Sequence, residues 1–300
     1  MTAYLKALSE HKIEYTENCP MSSYTSFKIG GPADVLVSPK TEEELTLAVS
    51  LARESATPYM LLGKGSNLLV SDLGIEGAVI HLSEGLDKIT LIEKETVCCG
   101  AGASLAALCN FCHSEGLSGL EFAYGIPGSV GGAVYMNAGA YCGEMKDVLV
   151  SVKYLTPDGE IKMAVGDELD LSYRHSRFSG KRDVILSAEF KLKEDNAADI
   201  RARMDDYIGR RKDKQPLNFP SAGSVFKRPE GHFAGALVEQ SGLKGYTVGG
   251  AQVSEKHAGF IINVGGATCS DVLALIEHIK STVKANFGVE LENEVIKTGR

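Results

Sequence analysis

Two glycine-rich segments carry the strongest chemical signal in this chain of 300 residues. The first is Gly63-Lys-Gly-Ser-Asn67, and the second is Gly125-Ile-Pro-Gly-Ser-Val-Gly-Gly132, which continues to Asn137-Ala-Gly139. Glycine lets a ligand approach the main chain closely, and consecutive free N–H groups form a concavity that binds anions. The two segments therefore predict loops that clasp a pyrophosphate, with tight turns as the alternative. The predicted binding residues are Gly63, Lys64, Gly65, Ser66, Asn67, Gly128, Ser129, Gly131, Gly132, Asn137, Ala138 and Gly139.

Two other glycine and serine patterns carry less weight. Gly100-Ala-Gly102 resembles the start of a dinucleotide-binding fingerprint, but Leu105 occupies the place of the third glycine. Ser129 and Ser224 both lie among glycines, yet neither fits the G-x-S-x-G pattern of a hydrolase nucleophile. A dehydrogenase with a Rossmann fold is therefore a minor alternative, and no hydrolase triad is indicated.

The cysteines do not form a metal or redox site in the sequence pattern. Cys109 and Cys112 fall on one face of a predicted helix, where two buried thiols are the favoured interpretation. His113 does not complete a metal site, because a fourth ligand at a credible spacing is missing. We predict no bound metal.

Composition and charge exclude several classes of protein. The net charge is -8, which disfavours sequence-independent binding to nucleic acid, because that needs a basic surface. The N-terminal residues lack the apolar core of a secretory signal, and the apolar run from Gly259 to Val264 is far too short to span a bilayer. We expect a cytoplasmic protein without membrane contact.

The elements that must position these loops alternate between helix and strand, which predicts an α+β fold in three segments: residues 1–83, 84–200 and 201–300. In the first segment, Thr41 and Glu44 form a capping box at the start of a helix within a β-α-β-β pattern. In the second, strands dominate, one of them over Lys88 to Cys99. A Pro157-Asp158-Gly159 turn predicts a hairpin there, and Gly116 ends a helix.

The third segment opens with a polar helix near residues 195–214. A short helix near 233–240 follows, then two strands and a long amphipathic helix with Gly288 just beyond its end. The stretch from Val289 to Ile296 is predicted to be a final strand.

Seven segments in this order, covering almost the whole chain, resemble the UDP-N-acetylenolpyruvoylglucosamine reductase (UDP-N-acetylmuramate dehydrogenase) family. The short spacing from Tyr173-Arg174 to Ser224 is similar to its type II members. The segments are Thr25–Gly31, Gly63–Leu68, Gly125–Gly143, Tyr173-Arg174 with Ser176 and Phe178, Gln215-Pro216 with Ser221–Lys227, Glu255–Asn263 and Leu291–Val295.

The resemblance implies both a fold and an activity. Residues 1–83 and 84–200 would form an FAD-binding module of the vanillyl-alcohol oxidase (PCMH) type, and residues 201–300 an α+β substrate-binding domain. FAD would be the bound cofactor and NADPH the co-substrate. The reaction would reduce the enolpyruvyl double bond of a UDP-sugar to UDP-N-acetylmuramate, in peptidoglycan precursor synthesis. No obligate protein partner is implied.

The resemblance also implies roles for single residues. Arg174 would neutralise the substrate carboxylate, Ser224 would donate a proton, and Glu294 would stabilise the intermediate. The implied substrate-binding residues are Tyr173, Lys214, His257 and Asn263.

Basic residues near Lys214 are candidates for the UDP diphosphate, but a solvated basic helix end is the alternative. This cluster also contains Arg210, Arg211 and Lys212, and Arg228 stands where many family members have asparagine.

Two rival functions use other chemistry: a flavin oxidase built on the same FAD module, and a sugar-nucleotide-binding protein without turnover.

Overall fold

The computed structural model describes residues 1–141 and 143–300, in which helices and strands alternate along the chain and confirm the α+β class. The helices of this part are α1 (Thr2–Glu10), α2 (Glu42–Glu54), α3 (Leu105–Ser114), α4 (Val130–Tyr135), α5 (Ala197–Lys214), α6 (Ala234–Gln240) and α7 (Cys269–Phe287). The strands are β1 (Tyr15–Pro20), β2 (Pro32–Val37), β3 (Tyr59–Leu62), β4 (Leu68–Val70), β5 (Ile75–His81), β6 (Ile89–Glu93), β7 (Thr96–Gly100), β8 (Leu117–Ser118), β9 (Gly139–Ala140), β10 (Gly143–Glu144), β11 (Leu149–Leu155), β12 (Ile161–Val165), β13 (Val184–Lys191), β14 (Lys193–Glu194), β15 (Ser221–Ser224), β16 (Thr247–Val248), β17 (Ala251–Val253), β18 (Phe260–Asn263) and β19 (Ile296–Thr298).

The chain divides into two units, each assembled from separate segments. Unit 1 comprises Met1–Thr16, Leu36–Lys64 and Ala78–Arg211, and unit 2 comprises Glu17–Val35, Gly65–Gly77 and Lys212–Arg300. The predicted division into residues 1–83, 84–200 and 201–300 stays a prediction.

Unit 1 contains a five-stranded sheet in the order β12-β11-β13-β7-β6, with antiparallel neighbours. The predicted hairpin joins β11 to β12, and Gly159 in its turn has a φ of 89°, which glycine adopts without strain. The single strand predicted from Lys88 to Cys99 is instead the hairpin β6–β7, because the chain turns at Lys94 and Glu95. Elsewhere in unit 1, β3 runs parallel to β5.

Two helix ends of unit 1 lie at the residues that their capping chemistry predicts. Thr41 accepts a hydrogen bond of 3.2 Å from Glu44 N at the start of α2. The return bond of the predicted capping box is displaced by one residue, since Glu44 Oε2 accepts from Lys40 N at 2.8 Å. After α3, Gly116 is left-handed with a φ of 66°.

Unit 2 is built around the long helix α7 and the sheet β15-β18-β17-β16. A reciprocal capping box between Thr268 and Asp271 starts α7, and Gly288 ends it with a φ of 70°. One apolar face of the helix is buried in the hydrophobic core of unit 2, which also takes in Phe27 and Leu69 from earlier segments. The buried residues of this face are Val272, Leu275, Ile276, Ile279 and Val283.

The predicted final strand from Val289 to Ile296 is wrong, because regular pairing begins only at β19, which runs parallel to β4. This segment is held by single backbone hydrogen bonds to residues 225–227, one of them from Lys227 N to Glu292 O at 2.8 Å.

Candidate active site

In unit 1 the two predicted glycine loops touch each other. A β-carbon added to Gly63 would lie 2.1 Å from Ser129 Oγ, far inside the contact distance of real atoms. Ser129 Oγ in turn accepts a hydrogen bond of 3.3 Å from Gly132 N and caps α4. A side chain at position 63 would therefore displace that of Ser129, and residues 66 positions apart in the chain meet here.

The second loop is held by its backbone rather than by side chains. Val130 N donates to Ala103 O at 2.8 Å and Gly131 N donates to Ala101 O at 2.9 Å. A β-carbon on Gly131 would lie 3.0 Å from that of Ala101, so this glycine permits close packing of two chain segments. No acidic residue occurs between residues 125 and 132. The absence of negative charge suits a pyrophosphate, but the N–H groups of Gly128, Val130, Gly131 and Gly132 are already bonded within the protein and do not form a row of free donors.

The later residues of the first loop, from Gly65 to Asn67, belong to unit 2. Gly65 has a φ of 60°, and a β-carbon there would lie 2.2 Å from Tyr24 O, so both conformation and space demand glycine. Asn67 Nδ2 donates to Glu294 O at 3.0 Å, and Ile296 N donates to Asn67 O at 2.9 Å. This loop therefore supports the segment that carries the predicted catalytic Glu294.

Lys64 is exposed and lies near His81, the last residue of β5. Burial lowers the pKa of His81, and the nearby charge of Lys64 lowers it further. A neutral imidazole therefore lies next to a lysine at the edge of the predicted cofactor loop.

The segment Asn137-Ala-Gly139 follows α4 and is tightly packed in unit 1. Asn137 is fully buried. A β-carbon on Gly139 would lie 2.8 Å from that of Glu144, so the backbones of β9 and β10 approach closely. Ala138 N donates to Ala133 O at 2.8 Å, which fixes the exit from the helix.

Tyr173 and Arg174 occupy the two central positions of a tight turn in unit 1. Ser172 and His175 flank the turn and exchange two backbone hydrogen bonds of 3.1 Å. Arg174 has a φ of 55°, in the left-handed region that non-glycine residues rarely adopt. Its guanidinium carbon lies 5.0 Å from the centre of the Tyr173 ring. Backbone strain at a residue with a predicted catalytic role is typical of functional sites.

In unit 2 the structure brings Ser224 and Glu294 into neighbouring backbone segments. Ser224 ends β15, next to Gly223 with a φ of 79° and a register shift in the pairing with β18. Such an irregularity redirects the side chain that follows it. Glu294 N donates to Val225 O at 2.7 Å. Because Val225 directly follows Ser224, the backbones of these two predicted catalytic residues lie close together.

Two predicted substrate-binding residues of unit 2 already have partners within the protein. Asn263 Nδ2 donates to Phe27 O at 3.2 Å, and its Oδ1 accepts from Gly265 N and Ala267 N. His257 Nδ1 accepts from Gly259 N at 3.1 Å, and burial lowers the pKa of His257.

The predicted basic cluster separates into different environments. Arg210 pairs with Asp206 on α5, whereas Lys214 is exposed at the end of the helix. Arg211 is largely buried, burial lowers its pKa, and its Nε has no hydrogen-bond partner among the described residues. Its side chain lies 3.1 Å from the place that a β-carbon of Gly125 would take. Arg211 is therefore the member of this cluster that lies beside the second glycine loop.

Arg228 packs its guanidinium 4.1 Å above the ring of Phe233. The ring is 62% exposed, so this pair lies at the surface of unit 2.

The sequence analysis missed a buried, hydrogen-bonded carboxylate that lies four residues before the second glycine loop in the chain. Glu121 accepts hydrogen bonds from Ser118 Oγ and Gly119 N at 2.8 Å each, and from Arg203 on α5 at 2.8 and 3.0 Å. Burial raises the pKa of Glu121, but these hydrogen bonds outweigh burial and lower the pKa overall. Local patterns carry no signal for it, because Arg203 is 82 residues away.

Neither a metal-binding cluster nor a membrane-spanning helix occurs in the described part of the chain. Among residues 1–141 and 143–300, no three or more His, Cys, Asp or Glu residues are grouped so that they could hold a metal ion. Over the same residues, no helix combines the length and the apolar character that crossing a bilayer needs.

Comparison with known proteins agrees with this geometry. Residues 33–164 match the model of the FAD binding domain, and residues 215–297 match that of the UDP-N-acetylenolpyruvoylglucosamine reductase C-terminal domain. These matches confirm the predicted pairing of an FAD module with a C-terminal domain.

Relatives cover nearly the full length. The UDP-N-acetylenolpyruvoylglucosamine reductase of Pediococcus pentosaceus is 51% identical over 95% of this chain and 94% of its own. That of Clostridium perfringens is 48% identical over 99% and 98%. The crystal structure of the Thermus caldophilus enzyme is 37% identical, with a TM-score of 0.80 over 95% of this chain and 98% of its own. The chain therefore belongs to the UDP-N-acetylenolpyruvoylglucosamine reductase family.

Proposed function

We propose that the chain reduces UDP-N-acetylglucosamine enolpyruvate to UDP-N-acetylmuramate, with FAD as bound cofactor and NADPH as electron donor. The observation that carries this proposal is the likeness over 95% of the chain to a reductase of that name. FAD, when bound, supplies the hydride chemistry, and the protein supplies position and charge. The product would enter peptidoglycan precursor synthesis in the cytoplasm.

Arg174 is proposed to bind the carboxylate of the enolpyruvyl group. Addition of a hydride to the terminal carbon of the double bond leaves negative charge on the neighbouring carbon, and this charge spreads into the carboxylate. An arginine binds a carboxylate through two parallel hydrogen bonds and stays charged at any physiological pH. The tight turn fixes its backbone, which favours a defined position for the guanidinium.

Ser224 is proposed to donate the proton that completes the reduction, and Glu294 to support it. The proton passes from Ser224 Oγ to the carbon next to the carboxylate, and a lactyl ether results. A serine hydroxyl is a weak acid, so its developing charge needs a neighbouring group. Glu294, whose backbone is bonded to Val225, the residue after Ser224, would take this role as a protonated carboxyl group, which can donate a hydrogen bond, because a carboxylate would repel the developing charge. A positioned acid contributes a factor of roughly 10²–10⁴ in rate.

Substrate binding is proposed to use Tyr173, Lys214, His257 and Asn263, with Arg211 as a further candidate for the diphosphate. The exposed Lys214 offers a mobile charge, whereas the buried Arg211 offers a fixed one. Asn263 acts indirectly: its side chain accepts a hydrogen bond from Ala267 N, which shapes the loop after β18, and it donates one to Phe27 O.

The experiment measures flavin absorbance under anaerobic conditions, first with NADPH and then with the enolpyruvyl substrate. The wild type should bleach with NADPH and regain its colour with the substrate. Ser224→Ala should bleach at the normal rate but regain colour about 10²- to 10⁴-fold more slowly. Ser281→Ala, on the exposed face of α7, is the matched control and should behave as the wild type.

Equal slowing of both steps in Ser224→Ala, or of neither, would contradict the proposed proton donor. Wild-type protein that bleaches with NADPH but regains colour only with oxygen would favour a flavin oxidase over the proposed reductase.

A further inference from the structure

The side chain of Asn137 is fully engaged by the protein although its motif predicts a cofactor contact. Its Nδ2 donates to Glu144 Oε2 and to Ser172 O, both at 2.9 Å, and its Oδ1 accepts from Lys146 N at 2.9 Å. These partners also fix the orientation of the amide, because only nitrogen can donate to a carboxylate and a carbonyl. Both amide hydrogens are used, so the side chain has no donor left for a ligand.

The bond to Ser172 O reaches the turn that carries Arg174. Ser172 O accepts from Asn137 Nδ2 and also from His175 N, the bond that closes the turn. The left-handed φ of 55° at Arg174 is unfavourable for an arginine, so the turn persists only if its surroundings hold it. The additional hydrogen bond from Asn137 Nδ2 to Ser172 O holds the start of the turn in place.

The residue after the turn is attached to the same end of α4. Ser176 is fully buried, and its Oγ donates to Tyr135 O at 2.8 Å. Tyr135 is the last residue of α4, and Asn137 lies two positions further along the chain. The Arg174 turn is thus bound on both sides to one short stretch, Tyr135 to Asn137.

We propose that Asn137 is a positioning residue for Arg174, a role that rests on the function proposed above. Its carboxamide fixes the carbonyl of Ser172 and so sets the place from which the guanidinium reaches the substrate carboxylate. A buried carboxamide suits this task because it donates to two oxygens and accepts from a backbone N–H at the same time.

Two substitutions separate the hydrogen bonds from the backbone conformation. Asn137 itself has a φ of 41°, which glycine adopts freely, so Asn137→Gly removes the side chain without backbone strain. Asn137→Asp keeps the size and the acceptor for Lys146 N but has no donor for Ser172 O or Glu144 Oε2, and it sets two carboxylates against each other. If one variant fails to fold, the other still tests the proposal. Glu144→Gln is the control, because its amide oxygen can still accept from Asn137.

Both variants should bind FAD and be bleached by NADPH within about twofold of the wild type. The KM for the enolpyruvyl substrate should rise, and substrate-dependent return of colour should slow by about 10- to 100-fold, the scale of a misplaced binding group. Glu144→Gln should match the wild type in all of these measurements.

A double-mutant cycle with Arg174→Ala provides the decisive readout. If Asn137 acts through Arg174, then Asn137→Gly should slow the return of colour no further in the Arg174→Ala background. An equal slowing in both backgrounds, or a loss of FAD affinity, would instead assign Asn137 to the cofactor and overturn the proposal. Wild-type protein without substrate-dependent turnover would refute the proposed function, whereas a fully active Asn137→Gly would refute only this inference.

Discussion

Replacement of Gly63 by alanine tests whether the two glycine loops touch as the structure has them. The new β-carbon would lie 2.1 Å from Ser129 Oγ, so the serine side chain must move. Gly63 is not left-handed, so alanine meets no backbone strain there. Losing the cap that Ser129 provides costs about 1 kcal/mol. A distorted rotamer would cost about 0.5–1.5 kcal/mol more. The free energy of unfolding of the apoprotein in urea should therefore fall by about 1.5–2.5 kcal/mol.

A second substitution isolates the contact. Ser129→Ala removes the Oγ, and the nearest remaining atom, its Cβ, lies 3.2 Å from the added carbon, which a small shift accommodates. Gly63→Ala should therefore cost much less in the Ser129→Ala background than alone. Effects of the two substitutions that add to within about 0.5 kcal/mol would refute the contact.

Gly209→Ala is the matched control for the same chemical change. A β-carbon at this position on α5 would meet no atom within 4 Å. The substitution should leave stability unchanged or raise it by up to about 1 kcal/mol through helix propensity. FAD titration by fluorescence quenching should show weaker binding for Gly63→Ala and unchanged binding for Gly209→Ala.

Two further predictions concern unit 2. The Asp72 carboxylate accepts from Cys269 N, Ser270 N and Ser270 Oγ at 2.6 to 3.0 Å, so Asp72→Ala should destabilise α7 by about 1–2 kcal/mol in urea unfolding; an unchanged midpoint would contradict this capping role. Burial lowers the pKa of His257 below its usual 6.5. As the pH falls below this value, the unfolded chain is protonated at His257 before the folded protein is, so stability is lost until the pH reaches the lowered pKa of the folded protein. His257→Gln should accordingly show a smaller drop in Tm between about pH 7 and pH 5 than the wild type, and parallel curves would refute the assignment.

Local signals in the sequence predicted the boundaries of the helices because capping chemistry is local. Thr41 at the start of α2 and Gly288 at the end of α7 act through bonds to residues within one turn of the helix ends. The wrong prediction of a strand from Val289 to Ile296 also has a physical cause. That segment is held by isolated backbone hydrogen bonds to residues 225–227 rather than by regular strand pairing. A pattern of apolar residues reports burial but not which backbone groups satisfy one another.

The candidate site was predictable in its residue types but not in its contacts. Glycine at 63 and serine at 129 are recognisable as loop residues, yet their contact joins segments 66 positions apart. The salt bridge from Arg203 to Glu121 spans 82 residues and leaves no periodic trace. Such pairs are fixed by tertiary packing, which one sequence alone does not encode in its local spacing.

The two asparagines of the predicted cofactor motifs illustrate how one motif can serve two purposes. In unit 2, Asn67 donates to the carbonyl of Glu294, and in unit 1, Asn137 donates to the carbonyl of Ser172 beside the Arg174 turn. Each motif thus combines glycines that are predicted to bind the cofactor with an amide that fixes a segment carrying a predicted catalytic residue. Loss of activity on changing such an asparagine therefore has two possible physical causes, and only separate measurement of cofactor affinity and of each half of the reaction distinguishes them.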